Sequence, residues 1–308
     1  MSGSEFPVTK SPTNAEPVSR ESAHRENGRF RPQFAVKFWG VRGSIPTPGV
    51  DTVRYGGNTA CVEIQVGGKR LIFDGGTGLR VLGKHLLKQM PVEASIFFTH
   101  THWDRIQGFP FFLPAFIAGN CFHIYGATAP NGASIKQRLA EQMLRPNFPT
   151  PLQMMQSTLK FCNVTPGSVV TLEDDITVET ISLHRSNSAL GYRITWQDHS
   201  VVYATDTDHS EADYDQNLLY LASEADLLIY DGTYVDHAYY DLDTIQMNGH
   251  APWQRGVDIA LKAGVKQLVM FYHDPTHDDD YLDHLEAKVC SSFSKTLLAR
   301  EGMMLKIC

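Results

Sequence analysis

Two histidines and a carboxylate at alternate positions, His100, His102 and Asp104, follow an apolar run that ends at Phe97-Phe98. In an extended backbone alternate side chains share a face, so His100 and His102 can meet on one metal ion at the end of a strand. A single His-x-His is a weak signal, because surface histidine pairs are common. Other ligand-type residues at strand ends strengthen it. Residues 176–183 read as a strand that delivers His184, residues 200–205 as one that delivers Asp206 to His209, and residues 267–272 as one that delivers His273. A divalent-metal site assembled from several strand ends follows, and a hydrolytic site of that kind keeps one position for water.

The elements that must position these residues are mainly β in the first half. Residues 34–39, 60–66 and 69–74 read as strands, the last two joined by the hairpin signal Gly67-Gly68. Helical spacing is predicted over 134–145, 214–224, 253–263 and 280–299. With no repeat, this mixed order suggests two packed sheets covered by helices. The stretches at Gly56-Gly57 and Asp74 to Gly78 lack the residue order of a phosphate-cradling loop and read as tight turns shaping the site. Asp74 could hydrogen-bond a ligand histidine or simply serve the turn. Arg42 is a candidate phosphate donor, and His250, just ahead of a predicted helix, a candidate general acid.

The chain has 308 residues and a net charge of -7, which argues against broad nucleic-acid binding while leaving room for a local phosphate contact. Cys61, Cys121, Cys162, Cys290 and Cys308 are odd in number and lack CxxC spacing, so reduced thiols and a cytoplasmic location are expected. No apolar run approaches the ~20 residues of a spanning helix. Residues 1–32, rich in Ser, Glu, Pro, Asn and Arg, are expected to be a disordered extension, with one domain over 33–308.

The ordered motifs FWGVRGSIPTPG (38–49), RYGGNTACVE (54–63), DGGTGLR (74–80), FTHTHWDRIQGFPFF (98–112), LHRSNSALGYRI (183–194), YATDTDH (203–209), YDGTY (230–234), GHAPW (249–253) and FYHDPTHDD (271–279) resemble the metallo-β-lactamase-fold hydrolases. The resemblance lies with the branch related to phosphoribosyl cyclic-phosphate phosphodiesterases and tRNase Z. It implies an α/β protein, an αββα sandwich of two mixed β-sheets flanked by helices. Position by position, His100, His102 and His184 resemble ligands of a first metal, Asp104 a ligand of a second, Asp206 the carboxylate bridging both, and His250 the phosphate-binding or proton-donating histidine. Two positions depart from the family. Its HxHxDH ends here in Arg105, which has no lone pair for a metal. Its last histidine falls at Tyr272, with His273 one residue later, a slip that turns a strand side chain to the other face.

The resemblance therefore implies a metal-dependent hydrolase acting on a small, cyclic or nucleotide-like phosphodiester through a metal-bound hydroxide. Asp206 and His250 would be catalytic, and Arg105 would supply a phosphate contact. The metal is expected to be zinc, with manganese or iron as alternatives, in one tight site with a weak or absent second. A long nucleic acid is an unexpected substrate, no membrane is expected, and a homodimer is open. The alternatives are a hydrolase of a lactone, thioester or β-lactam, and a catalytically weakened protein that binds a nucleotide or partner.

Overall fold

The computed structural model describes residues 34–183, 189–207, 214–232 and 252–308, and the architecture below is that of the unit Pro32–Cys308. The expectations for residues 1–32, His184, His209 and His250 lie outside the described residues.

Strand β1 (Phe34–Gly40) shows how the layers form: Phe34, Val36 and Phe38 join the core between the sheets, whereas Trp39 faces the outer layer. The same period of two runs along β2 (Cys61–Val66), where Val62, Ile64 and Val66 point inward and Cys61 outward. Its turn to β3 (Lys69–Phe73) places Gly67 at φ 53° and Gly68 at φ 78°. Two consecutive left-handed residues are what a two-residue hairpin of the favoured twist requires. The first sheet continues through β4 (Glu93–Phe97), β5 (Cys121–Ala127) and β6 (Thr158–Val164). With β14 (Met304–Lys306) beyond β1 its order is β14-β1-β2-β3-β4-β5-β6.

The second sheet contains β7 (Val169–Thr171), β8 (Thr177–Ser182), β9 (Leu190–Trp196), β10 (His199–Ala204), β11 (Leu227–Tyr230), β12 (Leu268–Met270) and β13 (Thr296–Leu298), in the order β13-β12-β11-β10-β9-β8-β7. Each sheet is antiparallel on one side and parallel on the other, with β3 to β6 parallel in one and β10 to β13 in the other. Stacked rings fill the space between them: Phe97 lies 5.3 Å from Phe73 and 4.5 Å from Tyr125, centroid to centroid. Such pairs contribute about 0.5–1.5 kcal/mol each beyond their area.

Helix α1 (Thr77–Leu86) covers the first sheet, and the four-residue α2 (Trp103–Ile106) follows the histidine segment. Helix α3 (Ile135–Glu141) also lies on the first sheet and opens with a capping box, Ser134 with Gln137. Helices α4 (Gln216–Ala222), α5 (Pro252–Lys262) and α6 (Asp279–Ser292) cover the second sheet. The two mixed sheets flanked by helices are the sandwich that the motifs imply. One expected element is corrected. The helix predicted over 280–299 ends at Ser292, because Thr296 to Leu298 pair in parallel with β12 as β13. No helix of the described residues is long and apolar enough to cross a membrane.

Candidate metal centre and its surroundings

Five strands deliver polar residues from their carboxyl ends to one edge of the sandwich. From β3 comes Asp74, from β4 Thr99 to His102, from β10 Asp206, from β11 Asp231, and from β12 Tyr272. The two sheets are tied together there, since Leu190 N–H donates to the Thr99 carbonyl at 3.0 Å and the Tyr192 hydroxyl to that of Phe98 at 2.6 Å.

Ligand atoms of His100, His102 and Asp206 lie within 4.8 Å of one another. His100 Nε2 is 3.8 Å from Asp206 Oδ2, and two ligands ~2.1 Å from a tetrahedral ion stand about 3.4 Å apart, so the donor set fits one divalent ion. His100 and Asp206 are buried while His102 is exposed, so among the described residues the cluster is uncovered on the His102 side. The His100 ring is oriented from behind. Thr99 Oγ1 donates to Asp74 Oδ1 at 2.9 Å and lies 3.0 Å from His100 Nδ1. With its own hydrogen on Asp74, that hydroxyl accepts from Nδ1–H, and the imidazole lone pair falls on Nε2, towards Asp206. Asp74 thus reaches a candidate ligand through Thr99.

Asp206 sits at φ 66°, an uncommon conformation for a residue with a side chain. Asp231 holds it there: its carboxylate accepts from the backbone N–H groups of Asp206 and Thr207 and, at 2.6 Å, from the Thr207 hydroxyl. The motif containing Asp231 is visible in the sequence, but its role depends on the parallel pairing of β10 with β11, which residue spacing does not reveal.

Arg105 is not available to a substrate. Its side chain is 0% exposed and Nη1 donates to Asp74 Oδ2 at 2.7 Å, to Thr205 Oγ1 at 3.0 Å and to the Tyr203 hydroxyl at 3.1 Å. Its Nε lies 3.4 Å from Asp104 Oδ2, and the guanidinium stacks 4.0 Å above the Tyr272 ring. Burial works against its charge, but the carboxylates and hydroxyls around it prevail and hold its pKa well above the ordinary arginine value. Asp104 also accepts from the Tyr272 hydroxyl at 2.7 Å, and it is not among the converging ligand atoms.

His273 is corrected as a ligand candidate. It is fully buried, its Nε2 lies 2.7 Å from the Ala299 carbonyl oxygen, and its ring meets Tyr55 edge-on. Burial, with the positive charges of Arg42, His277 and Arg300 around it, pushes its pKa down to about 3 despite the Ala299 contact. Strand β12 ends at Met270 and Tyr272 takes φ 64°, so the chain bends before His273, which packs inward against Tyr55 and Ala299. Arg42 is likewise no phosphate donor. It is buried, donating from Nε to the Gly56 carbonyl and from Nη1 to those of Asp274 and His277.

The glycines after Asp74 serve close packing. A Cβ on Gly108 would stand 1.9 Å from the Gly76 oxygen, because the loop after β3 lies backbone against backbone on the end of α2. Another ligand-type group, Glu93, Cys121 and His123, gathers at the opposite, amino-terminal ends of β4 and β5, where Glu93 is exposed.

The profile described as the beta-lactamase superfamily domain matches residues 69–273, from β3 to the end of β12. The chain belongs to this superfamily. It is a metal-dependent hydrolase of that fold, in keeping with the donor set at the edge. A ribonuclease Z of Gemmatimonas aurantiaca is 23% identical over 88% of this chain and 95% of its own. Among solved structures, the metallo-beta-lactamase fold protein YhfI of Bacillus subtilis superposes with a TM-score of 0.62 at 19% identity, covering 89% of this chain and 99% of that one. A diphosphatase from the PhnP family gives 0.61 at 16% identity, covering 88% and 97%.

Proposed function

We propose that this enzyme hydrolyses a phosphodiester, with a ribonucleotide chain or a small nucleotide-like diester as substrate, at an ion held by His100, His102 and Asp206. By the resemblance, His184 supplies the further ligand. The observation that carries the reading is the convergence of two imidazoles and a carboxylate at an open edge, with the His100 ring fixed by Thr99 and Asp74. A divalent ion bound there supplies Lewis acidity to a water and to the phosphoryl oxygen, zinc suiting the donors well.

The chain's own groups do the rest. The carboxylate of Asp206, whose backbone N–H donates to Asp231, accepts a hydrogen bond from the attacking water and aims it. His250 delivers a proton to the leaving oxygen, the part its resemblance assigns. Phosphate contact falls to Arg138 rather than to Arg105: Arg138, half-buried on α3, donates from Nε to Thr101 Oγ1 at 3.2 Å, between the two candidate histidines. Trp103, next to His102, is 67% exposed and offers a flat apolar face on which a base can stack.

The test is turnover of an aryl phosphodiester, a short RNA and a lactone by protein reconstituted with zinc or manganese. Hydrolysis of either diester that disappears in Asp206→Asn, with the variant still folded by circular dichroism, is expected. Hydrolysis of the lactone alone would replace this reading with carbonyl chemistry.

A further inference from the structure

We infer that the Arg105 guanidinium is a permanent internal cation standing where a second metal ion would otherwise be held, so that the enzyme works with one ion. The inference rests on the metal-dependent reading above and concerns how that site is charged. Asp104 is the residue whose resemblance points to a second ion. In the structure one oxygen of its carboxylate is already engaged: the Tyr272 hydroxyl donates to Oδ2 at 2.7 Å and Arg105 Nε lies 3.4 Å from the same oxygen. The guanidinium is wedged between the Tyr272 ring and the Asp74 carboxylate, with Tyr203 and Thr205 closing its other side. The cluster is almost sealed, Arg105 and Asp74 at 0% exposure and Asp104 at 5%.

Three features make the replacement chemical rather than incidental. First, a guanidinium has no lone pair, so Arg105 cannot be a ligand in any protonation state open to it. Second, an ion seated on Asp104 would share its carboxylate with the guanidinium, a like charge 3.4 Å from Oδ2, and on that oxygen would compete with the Tyr272 hydroxyl. Third, the two departures from the motif are physically in contact: Arg105 and Tyr272, distant in sequence, stack on each other and share Asp104 as partner. Asp104 and Tyr272 are accordingly positioning residues. Through Asp74 and Thr99, Arg105 is also coupled to the orientation of His100.

The test reads metal, not turnover. The full chain is saturated with Zn2+ for metal analysis, or with Mn2+ for electron paramagnetic resonance. One equivalent per chain and the spectrum of isolated Mn2+ are expected, with the content unchanged in Asp104→Asn and lost in His102→Ala. Two equivalents with a spin-coupled pair, or loss of metal in Asp104→Asn, would overturn the inference while leaving the hydrolase reading intact. No metal at all would overturn both. Arg105→His combined with Tyr272→His should raise the content towards two where that variant folds, and the wild-type measurement stands without it.

Discussion

Replacing Thr99 by valine keeps the shape of the side chain and removes one oxygen. That oxygen links the Asp74 carboxylate to the His100 ring, and Thr99 is fully buried. Thr99→Val should therefore weaken metal binding by about 10–100-fold with little change in fold, measured by competition with a chromophoric chelator. An unchanged affinity would mean that the ring is fixed by other means. Arg105 makes a harsher case. Arg105→Met leaves two buried carboxylates without their cation and should cost about 3–5 kcal/mol in urea unfolding. Arg105→Lys should recover only part, because an ammonium has no plane to lie on Tyr272. Sequence spacing was enough to mark His100 and His102. It could not show that Thr99 sits between one of them and Asp74, because that contact exists only once β3 and β4 are paired.

At the level of elements, loops are held by partners on neighbouring strands. Asp231, at the end of β11, receives the backbone of Asp206 and Thr207 at the end of β10. Asp231→Ala should release the φ 66° conformation of Asp206, lowering metal affinity more than thermal stability. Equal loss of both would show Asp231 to be a general prop. Gly108→Ala drives a methyl into the Gly76 carbonyl and should destabilise by about 1–3 kcal/mol through overpacking, seen as a lower urea midpoint. Strands with clean alternation, such as β1 and β2, were readable from their residues. The end of α6 was not, since Thr296-Leu297-Leu298 fits a helix as well as a strand until β12 stands beside it.

For the molecule as a whole, His273 makes stability depend on pH. Its pKa is about 3 when folded and ~6.5 when unfolded, so the unfolded chain takes up the proton first as pH falls. The contribution of neutral His273 is complete above pH ~6.5 and is lost towards pH 3, about 2 kcal/mol being gone by pH 5. Urea unfolding of wild type and His273→Gln at pH 7 and pH 5 checks this, the variant losing less between them; an equal loss in both would contradict it. The fold itself was legible because many motifs occur in order, several of them at strand ends. The burial of Arg105 and Arg42 was not, because nothing local distinguishes an arginine that points inward from one in water. The placement of the ligands has a thermodynamic corollary. His100 and His102 leave the first sheet and Asp206 the second, so an ion held by them, as proposed, would act as a clamp across the sandwich and find its site only when both halves have closed. Ion concentration then becomes a folding variable: at a hundred times Kd it adds about 2.7 kcal/mol. A chelator should accordingly lower Tm by roughly 5–10 °C and leave each half easier to cut by protease, without altering a single covalent bond.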